Sequence, residues 1–223
     1  MEKLLMKTYL IACEMLWDEL HLAMERTGIE YPTIWLDKGL HDTPEKLRAS
    51  LLDKLSQLEG YDTVLLAMAL CGGALDGVCS PHARLAVPRF DDCIRMILSL
   101  EPGMYNAADA RSLYYTRQWL DSAGHITRDL EQYIQRYGEK KAKKIMGMML
   151  AHYKHYRMVE TGAYDLTQWE DRARQDAAVL NLEYGTQPGT VRILEKLLRQ
   201  EFDEEFLVVA PGEKLTQRMF LRL

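Results

Sequence analysis

No stretch of this 223-residue chain approaches the ~20 consecutive apolar residues that a membrane-spanning helix needs. The N-terminal MEKLLMKTYLIACEM carries Glu2 and Glu14 at either end of its apolar segment, a pattern that reads as a first strand and not as a signal peptide. A cytoplasmic chain with no membrane partner is therefore expected. Positive charge is also in short supply. Lys and Arg number 28 against 33 Asp and Glu, leaving a formal charge of −5 and no electrostatic basis for binding nucleic acid. The cluster Lys140, Lys141, Lys143 and Lys144 reads as a solvated helix face. There is no low-complexity tract and no linker-like run, and 48% hydrophobic residues suffice for one packed core, so residues 1–223 are expected to form a single domain.

Cysteine is scarce too. Cys13, Cys71, Cys79 and Cys93 include no Cys-x-x-Cys pair. In a reducing compartment such thiols serve metals or catalysis more often than disulfides. The glycine-rich CGGALDG at 71–77 is neither a nucleotide phosphate loop nor a dinucleotide fingerprint, so nucleotide binding is not indicated.

What the chain does contain is a repeated alternation of strand-like and helix-like patterns. Residues 7–12 are β-prone, and 14–26 place Leu16, Leu20, Ala23 and Met24 at helical spacing ahead of Gly28. A second strand is expected over 29–36, then a helix capped by Asp42 or Thr43 with Pro44 in its first turn. The continuous apolar run 63–69 predicts a parallel strand covered on both faces, and 84–87 a fourth strand before a helix over 91–100. After a mostly helical stretch at 121–153, strands at 157–160, 182–184 and 206–209 alternate with helices at 167–179 and 190–199. The pattern predicts an α/β fold of parallel-sheet strand–helix repeats, in two related halves at 1–120 and 155–223 joined by the helical segment 121–154.

Open sheets of this kind bind ligands along the edge where the strands end. Cys13 follows the first expected strand, His41 the second, Cys71 the third, and Cys93 lies just beyond the fourth. If those strands are neighbours, the four side chains converge although they stand 28, 30 and 22 residues apart. Thiolates with an imidazole suit zinc, an iron–sulfur cluster or another thiophilic metal, and disfavour magnesium and calcium. The alternative is that each cysteine is a small buried hydrophobe and His41 a hydrogen-bonding group near a helix start. Around the four, Gly72 and Gly73 let the backbone approach a bound group closely. Arg89 and Asp92, with Asp91, can orient a ligand or lower the Cys93 thiol pKa, and Tyr114 and Tyr115, followed by Trp119, can line a pocket for a flat or methylated ligand. Asp92 also reads as a helix cap, and the aromatics as core. Cys79 reads as a bystander. His152 and His155 fall three apart at the end of the amphipathic helix expected from 139, a spacing that permits shared ligation, but Tyr153, Lys154 and Tyr156 around them read as an ordinary exposed face.

Several of these residues occur as short motifs in a fixed order: Cys13-Glu14, Leu40-His41 followed by Pro44-Glu45-Lys46-Leu47, Leu70-Cys71-Gly72, Pro88-Arg89 with Asp92-Cys93-Ile94, and Tyr114-Tyr115 ahead of Trp119. Over about the first 120 residues this order resembles the family called domain of unknown function 1638, and 206–212 resembles its closing strand and Pro-Gly turn. The resemblance implies an α/β protein of anaerobic bacteria and archaea, often encoded near corrinoid-dependent methylamine methyltransferases. For this chain it implies a metal- or metallocofactor-binding protein of anaerobic one-carbon metabolism, with Cys13, His41, Cys71 and Cys93 as ligands. Zinc or an iron–sulfur cluster, and also a corrinoid, are the cofactors it implies. The expected partners are a small molecule or metallocofactor and a corrinoid or methyltransferase protein. Two roles fit: a metal-dependent methyltransferase or thiol-activating enzyme in which Arg89 holds an acidic substrate group, or a non-catalytic carrier or assembly protein for the metal, cluster or tetrapyrrole.

Overall fold

The computed structural model describes residues 7–105, 107–122 and 125–221. Residues 1–6 of the N-terminal segment lie outside that set. The chain begins with β1 (Thr8–Cys13), α1 (Trp17–Thr27), β2 (Thr33–Leu36), α2 (Pro44–Gln57), β3 (Thr63–Ala67), β4 (Arg84–Pro88) and α3 (Cys93–Ile97). Gly28 closes α1 in the left-handed conformation and donates its N–H to the Met24 carbonyl, a turn that costs glycine little. Pro44 opens α2, where its missing N–H is one the helix leaves unpaired anyway.

There follow β5 (Ser112–Tyr115), α4 (Arg117–Leu120), α5 (Ile126–Tyr137), α6 (Glu139–Met149), β6 (His155–Glu160), α7 (Thr167–Val179), β7 (Glu183–Pro188), α8 (Arg192–Arg199), β8 (Phe206–Val209) and α9 (Gln217–Phe220). The strands form two sheets. The larger has the order β2-β1-β3-β4-β8, parallel throughout except for β8, which runs antiparallel to β4. The smaller, β5-β6-β7, is wholly parallel.

Alternation along the larger sheet's strands separates two cores. Leu10, Ala12, Leu65, Ala67 and Ala86 face α1 and α8, packing on Leu20, Ala23, Leu194 and Leu197. Ile11, Cys13, Val64, Leu66, Leu85 and Val87 face α2, packing on Leu47, Leu51 and Leu55. A third core joins Tyr115 of β5, with Tyr156 and Met158 of β6, to α5, α6 and α7. Val159 of β6 turns the other way and enters the α1/α8 core, which fastens the smaller sheet to the larger.

The α/β architecture of mostly parallel strand–helix units is the one expected, with three differences of detail. The strand β5 was not anticipated, because Ser-Leu-Tyr-Tyr is short and lacks alternation. It is held by pairing with β6, and the Lys154 and His155 N–H groups donate to the Arg111 carbonyl at its start. The helix expected over 139–153 ends at Met149, so His152 lies in a turn while His155 begins β6, opposite Ser112 and Glu183. These histidines therefore do not share a helix face. Finally, α8 and β8 follow the smaller sheet in sequence but return to the larger one, where β8 covers the edge of β4.

Candidate functional site

The ends of β1, β2, β3 and β4 lie side by side, and each delivers one of the anticipated ligands. Cys13 is the last residue of β1. Its sulfur accepts the Met15 N–H at 3.4 Å, capping the short 3-10 turn that leads into α1, and stands 2.8 Å from His41 Nε2. His41 lies on the 3-10 turn Lys38–Asp42 after β2. That turn is fixed at its start by the Asp37 carboxylate, which accepts the Gly39 N–H, and by Glu14, which accepts the Lys38 N–H at 3.1 Å. The His41 ring also meets Trp119, with centroids 5.9 Å apart and the planes at 65°.

Cys71 follows β3 and Cys93 opens α3, and their sulfurs are 3.5 Å apart. The two loops are zipped together beyond the strands, since Leu70 N–H donates to the Phe90 carbonyl and Cys71 N–H to the Asp91 carbonyl at 2.9 Å. Cys71 has φ +46, a left-handed conformation that a non-glycine residue adopts only when its surroundings hold it there. Gly72 and Gly73 continue in the same region at φ +65 and +88. Arg48 of α2 fixes the turn by donating to the carbonyls of Gly73 and Ala74.

Burial pushes the Cys13 thiol well above its usual range, so it is a neutral thiol as it stands. In the other pair, the hydrogen bond from Cys93 lowers the Cys71 thiol pKa, and the same bond together with burial raises that of Cys93. Of the two thiols, Cys71 is therefore the one that ionises first.

These distances test the fit of a metal. With bonds of about 2.0–2.3 Å, two tetrahedral ligands of one zinc lie roughly 3.3–3.8 Å apart. Cys71 and Cys93 have that spacing. Cys13 and His41, at 2.8 Å, are hydrogen-bonded and closer than co-ligands. Among the described residues, no group of three or more His, Cys, Asp or Glu side chains is gathered as a metal-ligand set. The donor chemistry fits a soft metal, and the geometry supplies it as two pairs on one sheet edge.

A family model described as "Protein of unknown function (DUF1638)" matches residues 35–198, well over half of the chain. The chain belongs to the DUF1638 family. The match includes His41, Cys71, Cys93, Tyr114 and Trp119, while Cys13 and β8 fall outside it. No curated protein and no solved structure matches the chain.

In this DUF1638 chain the remaining anticipated residues divide. Asp92 is the cap of α3: its carboxylate accepts the Arg95 N–H at 2.7 Å and pairs with the Arg95 guanidinium at 3.4 Å. Arg89 donates to the carbonyls of Met219 and Leu221, both at 2.7 Å, and so holds the C-terminal helix against the larger sheet. Cys79 is part-exposed and belongs to neither sulfur pair. Tyr114, Tyr115 and Trp119 line a cavity of about 580 Å³ between α3 and β5, with Asp92 and Arg95 on its opposite wall. Tyr114 OH accepts the Asp109 N–H there. Tyr115 is buried and stacked on Tyr156, with centroids 4.4 Å apart.

Two polar clusters escaped the sequence reading. His125 is completely buried, with Nδ1 2.7 Å from the Thr127 hydroxyl and Nε2 3.1 Å from the Tyr156 hydroxyl. Glu19 is buried between the sheets, where one oxygen accepts from Thr161 and the other has no hydrogen-bond partner among the described residues. A glutamate at an apolar helix position, Leu16-x-x-Glu19-Leu20, was the one available signal for the second.

Proposed function

We propose that this DUF1638 protein binds a thiophilic metal, or a cofactor carrying one, at the edge of its larger sheet where β1 to β4 end. The single observation that carries the reading is the arrival of two soft-donor pairs, Cys13 with His41 and Cys71 with Cys93, from four strand ends at one edge. Buried thiols whose ionisation is opposed by burial become thiolates when a metal takes the proton's place. Cys71 and Cys93 supply the first two ligands at their present spacing, and Cys13 and His41 complete the set by separating from each other. A bound metal supplies Lewis acidity and an activated thiolate. Trp119 touches His41 and also lines the aromatic cavity, so a drug-sized molecule held there is one indole ring away from the ligand set. In this reading a corrinoid is presented by a partner protein. A cytoplasmic setting in corrinoid-linked methyl transfer, taken from the family resemblance, is part of this proposal.

Anaerobic titration of the reduced protein with cobalt(II) tests it. The expected result is saturation near one equivalent with thiolate-to-cobalt charge-transfer absorption. Cys71→Ser and Cys93→Ser should each weaken binding by at least about tenfold. Absence of saturable binding, or binding untouched by both substitutions, would overturn the reading.

A further inference from the structure

The Cys71–Cys93 pair has a property that soft-metal ligation does not require. Its sulfurs are already in contact at 3.5 Å, and a disulfide needs them about 1.5 Å closer. The main chains carrying them are locked in register by the Leu70–Phe90 and Cys71–Asp91 hydrogen bonds, so the approach falls to the side chains and to the turn after Cys71. That turn begins with three consecutive left-handed residues. Exposure is unequal: Cys71 is part-exposed and Cys93 is 4% exposed, so a reagent in solvent meets Cys71 first. The other two cysteines are differently placed, with Cys13 buried against His41 and Cys79 outside both pairs.

We infer that Cys71 and Cys93 form a redox-active dithiol, which closes to a disulfide by exchange with a low-molecular-weight disulfide and thereby withdraws two ligands from the sheet edge. The Cys71 thiolate attacks one sulfur of the external disulfide, forming a mixed disulfide and releasing one small thiolate. Cys93 then loses its proton to solvent and attacks Cys71 Sγ, which releases the second small thiolate. Counted from the dithiol, with one proton leaving as Cys71 ionises and the second from Cys93, the protein gives up two electrons and two protons, and these convert the external disulfide into two thiols. The switching consequence rests on the metal reading above; the exchange itself does not.

The test is to incubate the reduced, metal-free protein with oxidised glutathione and follow its intact mass and peptide map. The wild-type chain should become two hydrogens lighter, with Cys71 and Cys93 linked and no glutathione retained. Cys93→Ser should stop with one glutathione on Cys71, Cys71→Ser should react far more slowly, and Cys79→Ser should behave as wild type. A wild-type chain that stays reduced, keeps glutathione, or links another pair would overturn the inference. Cobalt(II) titration before and after oxidation separates the two ideas. Disulfide formation in a protein that never binds cobalt would refute the metal reading alone. Cobalt binding in a protein that never forms the disulfide would refute the dithiol alone.

Discussion

Between its strands and helices the larger sheet buries chiefly hydrocarbon, whereas the smaller sheet is organised around buried hydrogen-bonding groups. Every residue of β3 is buried, and Leu65 at its centre is fully enclosed between β1 and β4. One buried carboxylate associated with this layer, Glu205, sits at its margin and is matched by Arg192 at 2.6 and 2.8 Å and by Lys196 at 2.6 Å. In the smaller sheet the largest fully buried side chain is Tyr156, and its hydroxyl meets the imidazole of His125. Asp176 lies 3.7 Å from the same imidazole and has a buried oxygen with no hydrogen-bond partner among the described residues. Hydrocarbon packing is insensitive to pH and gives a stiff support for the cysteine pairs. A polar core depends on protonation, and it reaches the cavity beside them through Tyr115, which stacks on Tyr156 and lines the cavity.

Truncation should expose the contrast most strongly. Leu65→Ala removes a fully enclosed side chain from the most crowded part of the larger sheet and should cost about 3–4 kcal/mol. Tyr156→Phe keeps the ring and removes only the hydroxyl partner of His125, at about 1–2 kcal/mol. Denaturant unfolding of the two variants gives the difference directly. Equal costs would mean that the smaller sheet relies on its polar network as heavily as the larger relies on packing.

The pH response should follow the same division. Burial lowers the His125 pKa from 6.5 to about 4. Above pH 6.5 the imidazole is neutral in both folded and unfolded chains, so nothing is lost there. As pH falls from 6.5 towards 4, the unfolded chain takes up a proton that the folded chain refuses, and stability declines by up to about 2–3 kcal/mol. His125→Gln should flatten this acid limb of the stability curve while lowering stability at neutral pH through the altered contact to Tyr156. An unchanged slope between pH 6.5 and 4 would mean that other groups carry the acid sensitivity.

How much of this was legible in the sequence depends on whether the cause was local. The apolar run ending in Cys71-Gly72-Gly73 announced β3 and its turn, because a doubly covered parallel strand has no polar face to disguise it. The positions of Cys13, His41, Cys71 and Cys93 at four strand ends followed from the strand–helix rhythm, and the larger sheet places those strands side by side. Their division into two pairs did not follow, since spacing along the chain says nothing about which sulfur faces which. Arg89 read as a substrate-binding cation because of its neighbours Asp91, Asp92 and Cys93, yet it donates to carbonyls 130 and 132 residues away. The strand β5 was invisible because its four residues are stabilised by a partner, β6, about forty residues later. The polar core of the smaller sheet was invisible for the same reason: His125, Tyr156 and Asp176 come from three separate elements, and only their packing makes them a unit.

The smallest expected effect lies at the junction of the two sheets. Glu19 projects from α1 towards Thr161 at the end of β6, beside the Asp18–Arg117 ion pair that ties α1 to α4 and near the Tyr164 ring. Burial, assisted by the charge of Asp18 and only partly offset by Thr161 and Arg117, raises its carboxyl from 4.5 to about 7. Below pH 4.5 the group is protonated in both states and costs nothing. As pH rises from 4.5 through 7, the unfolded chain releases its proton first, so stability falls, and the full cost is present above pH 7. This slope is opposite to that of His125. Glu19→Gln replaces the protonated carboxyl with a neutral amide that can still accept from Thr161, and it should raise stability by about 1–2 kcal/mol at pH 8 while leaving pH 5 nearly unchanged. Thermal melts of the two proteins from pH 5 to 8.5 should therefore converge at the acid end and separate at the alkaline end. Parallel curves would mean that Glu19 ionises as it does in water, and that the junction between the sheets is open enough to hydrate a carboxylate.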